Sequence, residues 1–466
     1  MLSFKKIVYV FFEILLLIIS YLVLYDINDF RKGCIIGTIL ILLNFVIYLF
    51  YQKKIFNVGN VMAISFVLFQ FGIPILYAID SNYTNWYISR FSDINLITSL
   101  RYTVVCVEFF LLGLIISYSE YPKNKRTKKM VKYSFLNDEN SKTIYLVSKI
   151  LFILTGIVAF PLAIYVAYLA LLYGYNYIKM DSMGIYNGIT RICQELIVPS
   201  LLLLIIYAPN NKNKRIYKII AMTYAFLLIF TGARTTSLSL ILVLLLMENI
   251  EDKKKMNFKN KIFVVVASFI LLFIGTFIAQ YRYNGKIKTF SITNTVESVV
   301  EEMGFNFTSL PFTKIFIPSS ENIKYGLSYI ASLLFLIPRT IDFTGTIDKI
   351  YNILPELWLA NNLHLRFGSL YDFGVGYSVI AESFYNFGNY GFFIILFQGI
   401  IVGKLLNISI DTKFKKYVKH IMLFCLITYP RRSFLTLLKS LEYCVVLIII
   451  LIWLASYKKN NNIEKR

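Results

Sequence analysis

The amino-acid sequence predicts an all-α polytopic integral membrane protein with about twelve transmembrane helices, and three observations carry that reading. Hydrophobic residues make up 57% of the 466 and the mean hydropathy is +0.64, more than a soluble globule of this size sustains. Apolar runs of about twenty residues recur from end to end, each long enough to cross roughly 30 Å of hydrocarbon. Lysines gather in the short segments between those runs, which is the orientation signal of a membrane bundle. A net charge of +22 in a soluble chain would point to nucleic acid, but this distribution assigns the charge to membrane topology instead.

The spans fall at about 7–25, 33–51, 58–79, 94–118, 144–173, 190–208, 216–231, 234–250 and 262–283, with three more near 390–408, 417–431 and 434–456. The eleventh is the shortest. The first run follows Lys5 and Lys6 and has no small-residue cleavage site before Asp26, so it reads as a retained helix. Cys34, Cys106, Cys193, Cys425 and Cys444 all lie in apolar stretches without metal-ligand spacing, and are expected to be free side chains.

Threading twelve spans from a cytoplasmic N-terminus places every basic cluster inside: Lys53-Lys54, Lys123 to Lys132, Lys212 to Arg215, Lys253 to Lys261, Lys413 to Lys419 and the C-terminal tail. Both termini are then cytoplasmic. The Tyr-, Asn- and Gly-rich segments 80–93 and 174–189 fall outside, as does the long stretch 284–389. That stretch holds apolar pieces too short to cross, Leu327–Ile337 and Gly376–Phe387, which predict half-helices or re-entrant elements. The chain reads as one integral membrane domain, 1–466, with no internal repeat and no similarity between its halves.

Under this threading Arg234, in the hairpin Phe230-Thr-Gly-Ala-Arg-Thr-Thr236, lies at the outer face against the general charge bias. An arginine snorkelling to water at a helix end accounts for it equally well. Arg282, Arg339, Arg366, Arg431 and Arg432 also map to the outer side, while the inner clusters are mostly lysine. Arginine suits planar, multidentate recognition of phosphate, although Arg431 and Arg432 also suit the anchoring of a helix end. Arg101 and Glu108, seven residues apart on one helical face, should each have a partner or reach water, and an intrahelical or interhelical structural pair is expected. Arg191 and Glu195 at i and i+4 have the same reading.

In the Gly-rich segment Asp372 to Gly391, Glu382 is an acid inside an apolar turn, able to bind a sugar hydroxyl or to pair with an arginine. Gly399-Ile-Ile-Val-Gly403 is a small-residue face for helix packing. His364, in the outer segment near Asn361, Asn362 and Arg366, is a candidate base or hydrogen-bond donor, or an incidental loop residue. No Gly-rich phosphate loop and no His-Glu-x-x-His occurs, so neither a metal nor a cofactor is expected.

Four stretches together resemble the O-antigen or capsular polysaccharide repeat-unit polymerases (Wzy). They are Thr231-Gly-Ala-Arg-Thr-Thr-Ser237, Tyr325-Gly-Leu-Ser-Tyr329 running to Ile337-Pro-Arg339, Gly374-Val-Gly-Tyr-Ser378 through Glu382, Asn386-Phe-Gly388 and Gly391, and Pro430-Arg-Arg-Ser433. The family commonly has Gly-Ser-Arg where this chain has Gly-Ala-Arg, which removes one hydroxyl contact. The resemblance implies a GT-C-like, metal-independent glycosyltransferase. It would transfer a growing glycan from undecaprenyl diphosphate to another lipid-linked repeat unit at the outer face of the cytoplasmic membrane. Arg234, Arg339 and Arg432 would contact the diphosphate, with Arg282 and Arg366 as further candidates, and Glu382 or His364 would orient or deprotonate the acceptor hydroxyl. Undecaprenyl-diphosphate-linked oligosaccharide, membrane lipid, a chain-length regulator and a flippase are the expected partners. Two alternatives use the same lipid: a lipid-linked oligosaccharide flippase, which predicts similar halves and short loops, and an O-antigen-ligase-like transferase.

Overall fold

The computed structural model describes residues 4–52, 57–118, 141–173, 188–251, 292–318, 321–335, 345, 350–368, 376–408, 412–444, 447 and 450. Every regular element among them is helical. The first eight helices are α1 (Phe4–Tyr25), α2 (Phe30–Gln52), α3 (Val58–Ile79), α4 (Asp93–Ser117), α5 (Ser141–Tyr173), α6 (Gly188–Tyr207), α7 (Asn211–Thr231) and α8 (Arg234–Glu251). Five shorter ones follow: α9 (Ile292–Gly304), α10 (Ser309–Phe316), α11 (Leu327–Leu334), α12 (Pro355–Phe367) and α13 (Val379–Phe387). The last two with fixed bounds are α14 (Phe392–Leu406) and α15 (Lys413–Ile427), and helical residues resume at 434.

Several starts are set by side chains that accept an otherwise unpaired backbone N–H. Asn57 opens α3, Ser92 opens α4, Asn210 opens α7 and Ser378 opens α13, each bonding the amide three residues on.

Seven stretches are long and apolar enough to cross a membrane among the described residues: α1 to α6, and Val379–Leu406. The expected span 262–283 and the end of the last one lie outside the described residues. The helix assigned near 390–408 begins earlier than its apolar run implies. It starts at Val379 and passes through a 3-10 turn at Gly388–Gly391 before α14. Gly388, at φ 57°, supplies the break, so the apolar piece 376–387 and the span after it form one bent element. Where the stretch 284–389 is described, its α-helices are 8 to 13 residues long.

The contacts divide the chain into two units. One holds residues 1–122, 300–407 and 426–439; the other holds 123–299, 408–425 and 440–466.

In the first unit α4 is the centre and is buried over most of its length. Phe66 of α3 stacks on Phe110 at 3.8 Å. α14 lies against α4 through glycines: a Cβ on Gly399 would come 2.5 Å from the Phe110 carbonyl, and one on Gly113 would come 2.6 Å from that of Leu396. The small-residue face expected at Gly399 and Gly403 is therefore a backbone-to-backbone contact. α1 is peripheral and exposes Ile7, Phe11, Leu15, Ile18 and Leu22 as one stripe suited to lipid, while Glu13 and Ser20 point inward. Arg31 of α2 donates to the carbonyls of Asp80 (3.2 Å), Ser81 and Tyr83 (2.8 Å), closing the C-terminal end of α3.

Of the two expected arrangements, the intrahelical Arg101–Glu108 pair does not form. Arg101 donates to the Ile27 carbonyl at 2.6 Å and lies over the Tyr25 ring, whereas Glu108 accepts from Ser20 of α1. Seven residues put the two side chains on one face but two turns apart, so Glu108 takes a partner on α1 and Arg101 one in the turn just after it.

In the second unit α5 packs on α6 and α7, with the Tyr145 and Tyr217 hydroxyls 2.7 Å apart. Residues 197–207 of α6 are buried all round. α7 and α8 form the tight hairpin read from the sequence. Gly232, at φ 92°, ends α7, and the Ser237 hydroxyl donates to the Ala225 carbonyl at 2.6 Å across the turn. None of the five cysteines is in a disulfide.

The α4–α14 contact generates a stability test. Gly399→Leu leaves composition and charge almost unchanged but drives a side chain into the Phe110 backbone, an overpacking that costs about 1–3 kcal/mol or more. The thermal midpoint of the detergent-solubilised protein should fall well below that of Ile401→Leu, whose side chain is exposed on the same helix. Equal midpoints would show that the helices do not meet at Gly399.

Candidate functional site

Between α15 and the helix that resumes at 434, the chain makes a short 3-10 turn, Tyr429–Arg431, that carries Arg431 and Arg432. Such a turn leaves carbonyls without helical donors, and side chains supply them. The amide of Arg431 bonds the Thr428 carbonyl, so Ile427 takes the hydroxyl of Ser65 instead, at 2.5 Å. The side-chain amide of Gln70, also on α3, donates to the Pro430 carbonyl.

The other side of the turn is held by two carboxylates. Glu382 accepts from the Phe434 backbone N–H at 2.7 Å with Oε2 and from the Ser328 hydroxyl at 2.9 Å with Oε1. Glu356, at the start of α12, accepts from the hydroxyls of Ser433 and Thr436, the latter at 3.0 Å. Asn386 completes the network by donating to Ser328 Oγ at 2.7 Å and to the Glu382 carbonyl at 2.9 Å, and by accepting from the Ser328 N–H at 3.2 Å. Glu382, Ser328, Asn386 and Ser433 are each 1% exposed or less, so the arrangement is a dry, mutually satisfied network.

Glu382 sits in the first turn of α13, where the partial positive charge of the helix N-terminus favours a carboxylate. The residues that raise α13 into position are equally polar and buried. Ser309 of α10 donates to Ser378, Thr313 and Tyr377 share a hydrogen bond at 2.9 Å, and Tyr102 of α4 meets Ser383 at 3.0 Å. Beside this network Glu321 accepts from Lys324 (2.6 Å) and from the Trp358 indole (2.9 Å). Burial works to raise the Glu321 pKa, but these two hydrogen bonds and the Lys324 charge outweigh it and hold the carboxyl below its ordinary value.

The candidate residues read from the sequence are distributed as follows. Glu382 and Arg432 belong to one cluster, two residues apart through Phe434. Arg366 and His364 are exposed on the last turn of α12, Arg366 lying 5.6 Å over the Phe316 ring. Arg234 is the first residue of α8, in the other unit. Arg282 and Arg339 lie outside the described residues.

Sequence reasoning missed Glu356, Ser328 and Ser433 as partners of this site. Glu356 follows Pro355 at a helix start, a position where an acid is ordinary capping chemistry, so no pattern singled it out. Among the described residues no group of three or more His, Cys, Asp and Glu side chains is placed to hold a metal ion.

Replacing Glu382 tests the network. Glu382→Ala strands two buried donors, each at a cost of about 1–3 kcal/mol, whereas Glu382→Gln keeps one carbonyl acceptor. The alanine variant should melt at a clearly lower temperature than the glutamine variant, and the reverse order would show that the carboxylate does not hold the turn.

No curated protein and no solved structure matches the chain. The model of the O-antigen polysaccharide polymerase Wzy family matches residues 6–461. With its several membrane-crossing helices and a match over nearly its whole length, this chain belongs to that family of multi-pass membrane polymerases of polysaccharide biosynthesis.

Proposed function

We propose that this protein polymerises undecaprenyl-diphosphate-linked oligosaccharide repeat units at the outer face of the cytoplasmic membrane, with both termini cytoplasmic. The observation that carries the reading is the Arg431–Arg432 turn, braced by Ser65, Gln70, Glu356 and Glu382 from three helices. A lipid diphosphate departs with developing negative charge, and cations held in a fixed geometry stabilise that charge without reorganising. A braced turn is what keeps an arginine fork fixed.

In this reading Arg432, Arg234 and Arg339 contact the diphosphate, with Arg282 and Arg366 assisting. Glu382 serves best as a positioning residue, because both of its oxygens already accept hydrogen bonds from Ser328 and Phe434. His364, exposed on α12, is the proposed partner of the acceptor hydroxyl. Since the diphosphate is a good leaving group, fixing and neutralising it supplies most of the acceleration.

Reconstitution with a lipid-linked repeat unit should give a ladder of oligomers on a gel. Arg432→Ala, Arg234→Ala and Arg339→Ala should each slow ladder formation by about 10²-fold, the scale for losing one charge-stabilising donor. Unchanged ladders in all three would reject the arginine site. Scrambling of intact lipid without any ladder would make the protein a flippase.

Orientation has its own test in the α7–α8 turn. Ala233→Cys in a cysteine-free background should react with an impermeant thiol reagent applied from outside. Labelling only from the cytoplasmic side would invert the topology and remove Arg234 from the outer face.

A further inference from the structure

Within the first unit, a cavity of about 540 Å³ opens between α1, α4, α10 and the start of α14. Its lining is graded from polar to apolar. α1 and α4 run antiparallel across it, with Arg101 bonded to Ile27 just beyond the end of α1 and Ser20 bonded to Glu108 further in. Arg101, Lys314 and Tyr25 therefore stand at one level, and Phe109, eight residues beyond Arg101, lies about 12 Å deeper along the span. Leu17 and Val105 join Phe109 in the apolar wall.

The polar end is cationic, and among the described residues no Asp or Glu lines the cavity. The Lys314 ammonium has the Thr98 carbonyl at 2.8 Å and two aromatic faces, Phe384 at 5.0 Å and Tyr102 at 5.6 Å. Burial, with the Arg101 charge adding to it, pushes the Lys314 pKa down to about 7. Arg101 keeps one buried donor, Nε, without an acceptor. Two half-buried cations beside an apolar wall leave a desolvation cost that an anion would offset. The volume, at about 30 Å³ per water-sized group, admits roughly eighteen such groups. That admits a phosphate head with the first part of a hydrocarbon chain.

We propose that this cavity binds one single-chain isoprenoid diphosphate, its phosphates on Arg101 and Lys314 and its first isoprenoid units along Leu17, Val105 and Phe109. The identity of the lipid rests on the polymerase reading; the assignment of a phosphate amphiphile rests on the cavity alone. Joining two lipid-linked glycans requires two lipid diphosphates to be held at once, and the arginine turn accounts for one. Tyr102 lines the cavity and bonds Ser383, the residue next to Glu382, so the second site adjoins the first network.

The test is binding by the full-length protein in neutral detergent, read by native mass spectrometry with undecaprenyl diphosphate as the probe. Lys314→Gln and Arg101→Gln should each weaken binding by at least about tenfold, Lys314→Arg should restore it, and undecaprenol should bind at least about tenfold more weakly than the diphosphate. Because Arg101 also holds Ile27, Val105→Trp provides a charge-neutral variant that should weaken binding by filling the apolar wall. Unchanged affinity in Lys314→Gln and Val105→Trp would overturn the site. Equal competition by phosphatidylglycerol would replace the isoprenoid by bulk anionic phospholipid and overturn the assignment. Binding needs no turnover, so a wild-type protein that binds through Lys314 but forms no ladder would sink the polymerase reading alone. A ladder with Lys314-independent binding would sink only the cavity.

Discussion

Backbone polar groups with no helical partner have to be satisfied where water is scarce, and the turn at 427–434 meets that demand with side chains. Ser65 and Gln70 reach it from α3, Glu382 from α13 and Glu356 from α12. The two α3 residues and the two carboxylates come from parts of the chain hundreds of positions apart, so one local irregularity draws α3 and the short helices of 300–407 onto the same few residues. The consequence is a pair of arginines on a backbone that cannot drift. A helix continued straight through Arg432 would have satisfied its own carbonyls and needed none of these partners.

The helices around this turn are fastened to unequal degrees, and the difference follows from side-chain size. Glycines at 113 and 399 let α4 and α14 meet backbone to backbone, which fixes the bent element that carries Glu382. α1 brings Leu17, Tyr21 and Tyr25 to its inner side instead, meets α4 through the Ser20–Glu108 hydrogen bond and turns most of its surface outward. The space left at its inner side is the cavity that Arg101 and Lys314 enter. Close packing and an open pocket are thus two outcomes of the same choice of residue at the helix face.

Much of the fold was legible because its signals are local. The apolar runs, the hairpin at Gly232 and the small face at Gly399 each depend on neighbours within a few residues. The site was legible in part: Glu382 and Arg432 stood out as charges in apolar surroundings. Glu356, Ser328 and Ser433 did not, since a serine or a helix-initiating acid is unremarkable until the residue facing it is known. Lys314 gave the same kind of signal as Glu382, a lone charge between phenylalanines, but nothing in its own segment said that Arg101 would share its cavity.

By itself the sequence determined that this is a helical membrane protein, where many of its helices begin and end, and which family it resembles. Hydropathy, capping and motif are properties of contiguous residues, so no fold is needed to read them. The tertiary structure alone decided that Arg101 and Glu108 part company, that the carboxylates of Glu382 and Glu356 converge on one turn, and that two cations face an apolar cavity. Each of those facts is a contact between distant segments, and its energy depends on desolvation and geometry that exist only once the helices have packed.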